Sequence, residues 1–82
     1  MTRLIASEEN LTMDRVPVRS SNIRSVGYDP ATRTLELEFH SGGLYRYSGV
    51  PESIYEDFMQ AVSKGAYFHD HIKGRFPDRR IR

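Results

Sequence analysis

The sequence predicts an α+β domain: a three-stranded antiparallel meander covered on one face by two C-terminal helices. Three observations carry that prediction. Thr34 to His40 alternates apolar and polar residues with period two, as a half-buried strand does. Ser41, Gly42 and Gly43 follow, then a second run around Tyr45 and Tyr47, so a hairpin closes there. Beyond Pro51 the period changes. Ile54, Phe58, Ala61 and Val62 fall at i, i+4, i+7 and i+8, the apolar stripe of a helix.

Residues 1–12 show no strand period and no anchor beyond Leu4, Ile5 and Leu11, so they are expected to form a flexible N-terminal tail. Met13 stands just ahead of the patterned region and is a candidate second start of translation, beside Met1. Val16-Pro17-Val18 is extended, because Pro17 restrains the residue before it. Pro17 also lacks an N–H, so this piece is an edge strand or no strand. Ser20-Ser21-Asn22 offers three side chains that bond nearby backbone, and a turn is the favoured reading over a ligand-binding hydroxyl cluster. Ile23 to Tyr28 is a strand with Val26 and Tyr28 toward the core, and Asp29-Pro30-Ala31-Thr32 is its turn.

Hairpin register decides where the tyrosines point, since a one-residue slip turns every side chain over. With His40 opposite Gly43, Arg46 would fall on the core face. With His40 opposite Leu44 and a Ser41-Gly42-Gly43 loop, Phe39 faces Tyr45, Leu37 faces Tyr47, and Glu38 faces Arg46 on the other side. The second register pairs aromatic and opposite-charge groups and is the one expected. It makes Tyr45 and Tyr47 structural and leaves Glu36, Glu38, His40 and Arg46 on an acidic outer face.

Pro51 suits the first helical position, and Glu52 adds negative charge at the positive helix end. Lys64-Gly65 is expected to end this helix, with Gly65 as its cap. A second helix is expected from Ala66 to about Lys73, with Phe68 and Ile72 inward; Gly74 stops it and Pro77 prevents its resumption. Residues 77–82 form a basic C-terminal tail, and residues 13–76 the domain proper.

The order Ser20-Ser21-Asn22-Ile23, Gly27-Tyr28-Asp29, Tyr45-x-Tyr47, Gly49-Val50-Pro51 and Ser63-Lys64-Gly65-Ala66-Tyr67-Phe68 resembles the KTSC domain, over roughly Val16 to Phe76. That small module is named for the C-terminus of some lysyl-tRNA synthetases and also occurs as a single-domain bacterial protein. The resemblance implies no established activity. Its synthetase context implies an RNA partner, either tRNA or single-stranded RNA, by association.

Composition narrows the chemistry. Eighty-two residues make one small domain. With 38% hydrophobic and 28% charged residues, the chain suits a globular rather than a disordered or membrane class. There is no cysteine, hence no thiolate metal site and no cysteine nucleophile. No apolar run approaches the ~18 residues of a membrane span, and no apolar segment follows Arg3 as in a signal peptide; the cytoplasm is the expected compartment. On a helix His69 and His71 point apart, so they do not share a metal. No nucleophile elbow or phosphate-binding glycine pattern is present. The expectation is a non-enzymatic binding module with no metal and no cofactor.

Charge is unevenly placed. From Lys64 to Arg82 six basic residues stand against Asp70 and Asp78, giving +4, while the first 63 residues carry six basic and nine acidic, giving −3. Lys64, Tyr67, His69, Lys73, Arg75, Phe76, Arg79, Arg80 and Arg82 interleave cations with aromatics, as phosphate neutralisation and base stacking require; of these, Lys64, Tyr67, Lys73, Arg75, Arg79, Arg80 and Arg82 are the candidate nucleic-acid-binding residues. The alternative is a protein–protein adaptor using the outer sheet face or a sheet edge.

Overall fold

Alternation along the central strand buries Leu35 and Leu37 completely on one face of the sheet, and the rest of the domain is arranged around that face. The computed structural model describes residues 13–82; the tail expected over residues 1–12 lies outside the described residues. The elements run β1 (Val16–Pro17), β2 (Ile23–Asp29), β3 (Thr34–Phe39), β4 (Leu44–Tyr47), α1 (Glu52–Gln60), α2 (Lys64–His71) and β5 (Asp78–Arg80). The strands form one antiparallel sheet in the order β1-β2-β3-β4-β5. The α+β class with two helices stands, but among the described residues the sheet has five strands, not three.

Both additional strands lie at the edges. Pro17 has no N–H to donate and is tolerated there; Val16 pairs with Val26, and Val18 N–H donates to the Arg24 carbonyl at 3.1 Å. At the other edge, the segment expected as a basic tail over residues 77–82 carries β5. Tyr45 stands opposite Arg80, Arg46 opposite Arg79, and Tyr47 opposite Asp78.

The β3–β4 loop has three residues as expected, but they are His40, Ser41 and Gly42. Phe39 N–H donates to the Gly43 carbonyl, and Gly42 N–H to the Phe39 carbonyl, both at 2.8 Å. Leu37 therefore faces Tyr45, Leu35 faces Tyr47, and Glu36 faces Arg46. The register is displaced by two residues from the expected one, so the side chains of the strands keep their faces, while His40, expected on the outer face, falls in the loop and turns toward the Ser20–Asn22 segment. The cause is Gly42, whose φ of +107° supplies the left-handed position of the loop; Gly43 is left to continue the ladder. On β2 a bulge between Ile23 and Ser25 lets Ile23 and Val26, three positions apart, both point into the core.

Pro51 stands just outside α1, its carbonyl accepting from the Ile54 and Tyr55 N–H groups at 3.0 and 3.2 Å. The helix ends at Gln60, four residues short of the expected Lys64-Gly65 stop. Ser63 is the reason: its Oγ accepts from the Ala66 N–H at 3.2 Å and caps α2. Lys64 and Gly65 therefore open the second helix. Val62, expected in the apolar stripe, falls in the connection and is fully exposed. Gly74, with a φ of +77°, follows α2. The core lies between the helices and the sheet: Ile23, Val26, Leu35, Leu37 and Tyr47 meet Val50, Phe58 and Ile72. Tyr28 stacks on Tyr55, ring centroids 4.5 Å apart.

The outer sheet face differs from expectation. Glu36 is fully buried there rather than exposed. Arg15 and Arg46 both bond its carboxylate, Arg46 Nε at 2.8 Å. Residues 13–15 reach that carboxylate by crossing Gly27, where a Cβ would lie 2.8 Å from the Asp14 carbonyl oxygen. Glu38 accepts from Ser25 Oγ at 2.8 Å and lies 3.2 Å from Arg82. The Ser25 hydroxyl, with Arg15, Arg24 and Arg82 adding charge, holds its carboxyl below the usual range despite desolvation.

Candidate functional site

On the helix side, the tip of the β3–β4 hairpin meets α2 and the loop before β2. Local bonds set the geometry. Ser20 Oγ accepts from the N–H groups of Asn22 and Ile23, both at 3.2 Å, which is the turn the serines were expected to make. His40 N–H donates to the Asn22 carbonyl at 2.9 Å. His40 Nε2 lies 3.0 Å from the Ser20 carbonyl; a carbonyl only accepts, so this nitrogen carries the proton. Loop and hairpin tip are thus stitched together. A Cβ on Gly65 would come within 3.0 Å of the Asn22 amide nitrogen, so glycine lets α2 approach that loop closely. Phe68, one turn further on, sets its ring edge-on to Phe39 and Tyr47, at 5.4 and 5.7 Å.

Two grooves open where these parts meet. One, of about 340 Å³, is lined by Ser21, Asn22, His40, Gly65 and His69 together with Phe39, Ser41, Phe68 and Lys73. The other, of about 520 Å³, shares those last four residues and adds Tyr45, Tyr47, Gly74 and Asp78. Tyr45 is half-buried, and the Arg80 guanidinium sits 5.6 Å from its ring centroid, within cation–π range. Tyr47 is buried, and burial pushes its phenol well above the ordinary tyrosine range, with Asp78 and Tyr45 adding to the shift. The site thus offers ring faces and edges, amide and imidazole hydrogen-bonding groups, and cations at its border.

The candidate cations do not share one surface. Lys73 lines both grooves, and Arg80 stands beside Tyr45. Arg75 Nε donates to the Asp70 carbonyl at 2.9 Å, and Lys64 Nζ to the Ala61 carbonyl at 3.3 Å. Arg79 lies opposite Arg46 on the outer face, and Arg82 reaches Glu38 there. Tyr67 is partly buried between Phe58 and His71; burial, then Asp57, raises its phenol pKa. Among the described residues, no group of three histidine or carboxylate side chains is placed to hold a metal, and no helix is long and apolar enough to cross a membrane.

The sequence alone does not single out His40, Ser41 and Phe68 as binding residues; it counts His69 among the basic and aromatic residues of the C-terminal segment, and reads Ser21 and Asn22 as a turn in preference to a ligand-binding cluster. The signal that pointed to some of them was motif order: the Ser-Ser-Asn, Tyr-x-Tyr and Lys-Gly-Ala-Tyr-Phe stretches converge on these grooves. The profile of the KTSC domain family matches residues 19–76. The chain belongs to the KTSC domain family. A KTSC domain protein of Yersinia pestis with a crystal structure is 53% identical, with a TM-score of 0.80 over 83% of this chain and 96% of that one. An uncharacterized protein of Stutzerimonas stutzeri is 46% identical over 74% of this chain and 86% of its own length. A lysine–tRNA ligase of a Nostoc species is 50% identical over 68% of this KTSC chain, a stretch that is only 10% of the ligase.

Proposed function

We propose that this KTSC domain is a small, non-enzymatic RNA-binding module working in the cytoplasm, and that RNA engages the paired grooves and their basic border. One observation carries the reading. Lys73 and Arg80, two exposed cations of the +4 segment, stand beside the ring-lined grooves, Arg80 directly at the half-buried Tyr45. Cations beside stacking surfaces are what unpaired nucleic acid requires. Kinship with a segment of a lysine–tRNA ligase supports the same partner class. Lys64, Tyr67, Arg75, Arg79 and Arg82 stay in the proposal as outlying contacts, reached only by a longer strand.

The outer sheet face is a poorer candidate, because Glu36 and Glu38 there are engaged by the domain's own arginines. A protein adaptor reading draws on β5, an edge strand of the sheet among the described residues. Salt dependence separates the two. Anisotropy titrations with a labelled mixed-sequence RNA should show affinity falling steeply with salt, and Lys73→Gln with Arg80→Gln should lower the slope of log affinity against log salt by about 1.4, at roughly 0.7 per phosphate contact. Absence of binding by the wild type at low salt would remove the RNA reading.

A further inference from the structure

The two grooves share a wall of Phe39, Ser41, Phe68 and Lys73: two rings, a hydroxyl and an exposed ammonium. On either side lies a recess of about 340 or 520 Å³, the size of small-ligand sites. Building on the RNA reading, we infer that the site takes two consecutive unpaired nucleotides, one base in each groove, with the phosphate between them on Lys73 and Ser41.

The chemistry of the two halves matches that occupant. A dinucleotide unit presents two flat bases joined by one anion, and the grooves present two recesses joined at one cation. Among the described residues, no carboxylate lines the smaller groove; the Asn22 amide and the imidazoles of His40 and His69 give it hydrogen-bonding groups for a base edge. The larger holds the Tyr45 ring with Arg80 beside it. The carboxylate that lines it among the described residues, Asp78, lies in the unshared half, where it accepts from an exocyclic amine or ribose hydroxyl rather than opposing the phosphate. Phe39 and Phe68 are held edge-on to each other at 5.4 Å and packed against the core. A base reaches them only after leaving its own stack, so a paired duplex is excluded.

Competition against the labelled RNA tests this, with adenylyl-adenosine, adenosine monophosphate and a blunt-ended RNA duplex as competitors. The dinucleoside monophosphate should displace the label at about tenfold lower concentration than the mononucleotide, since a second stacked base is gained, and the duplex should compete worst. In amide shift mapping, Asn22, Ser41 and Gly74 should move with adenylyl-adenosine while Gly27, on the opposite sheet face, stays. Lys73→Gln, at an exposed position, should abolish the tenfold advantage while the amide spectrum of the fold is retained. Equal competition by mononucleotide and dinucleotide, strong competition by the duplex, or shifts centred on Gly27 would overturn the inference. Salt-dependent binding of the labelled RNA with no displacement by adenylyl-adenosine would sink the two-nucleotide site alone, whereas no binding of the label sinks the RNA reading itself.

Discussion

Tyr45 and Tyr47 sit two positions apart on one face of β4, yet their surroundings divide their tasks. Tyr47 is 4% exposed and meets Phe68 edge-on; Tyr45 is half-buried, with Arg80 over its ring. Truncating a ring as enclosed as that of Tyr47 leaves a cavity, so Tyr47→Ala should cost roughly 3–5 kcal/mol, enough to threaten a domain of this size. Tyr47→Phe keeps the ring and should cost about 1 kcal/mol or less at neutral pH. The hydroxyl shows itself in alkali. Burial raises the folded phenol pKa above its unfolded value, so the stabilisation is fully present below the unfolded value and is lost as pH rises from roughly 10 toward the folded one. Thermal melts between neutral pH and strong alkali should therefore fall less steeply for Tyr47→Phe than for the wild type. Parallel declines would show that Tyr47 ionises freely in the fold.

At the level of elements, β5 is where pattern and structure part. Alternation identified β2, β3 and β4 because each has a buried face. Asp78, Arg79 and Arg80 are all exposed, so no apolar period marks them, and only the open edge of β4 recruits them. The same logic explains the helices. The apolar spacing from Ile54 runs smoothly into Val62, while the break comes from a polar residue, Ser63, whose hydroxyl ends one helix by starting the next. The site was half legible. Lys73 and Arg80 emerged from charge, and Tyr45 and Tyr47 from the motif. Asn22, His40 and His69 are far apart in sequence and meet only because His40 is bonded to the Ser20–Asn22 loop and Gly65 lets α2 close on it. Because β5 is a strand rather than a tail, a chain stopped after Pro77 loses the Leu44 bonds to Ile81 and Arg82 and the Arg82–Glu38 pair. At ~1 kcal/mol for each backbone bond, the melting temperature should drop by roughly 10 °C or more. An unchanged melting temperature would mean that the pairing contributes nothing.

Across the whole molecule, the two faces of the sheet do different work. The helix face carries the core and the grooves; the outer face carries charged contacts that tie the start of the described chain to its end. Arg15 bonds Glu36 and, through Nε, Ser25 Oγ at 2.9 Å; Ser25 passes a hydrogen bond to Glu38, and Arg82 closes the set from beyond β5. Gly27 is the gap that lets residues 13–15 lie flat enough for this. In Gly27→Ala the new Cβ would fall 2.8 Å from both the Asp14 carbonyl oxygen and Met13 Cγ, a clash with backbone that only a shift of the crossing segment relieves. That shift draws Arg15 away from a carboxylate that is fully buried. Overpacking alone costs about 1–3 kcal/mol, and weakening one arm of a buried ion pair raises the total toward roughly 3–5 kcal/mol. A double-mutant cycle isolates the mechanism. Arg15→Ala should be costly in the wild type but nearly silent in the Gly27→Ala background, with a coupling energy of about 1 kcal/mol or more, read from urea midpoints. Strictly additive costs would show that Gly27 and Arg15 act independently. Because the grooves lie across the sheet from this network, Gly27→Ala should leave RNA affinity unchanged at temperatures where it is fully folded.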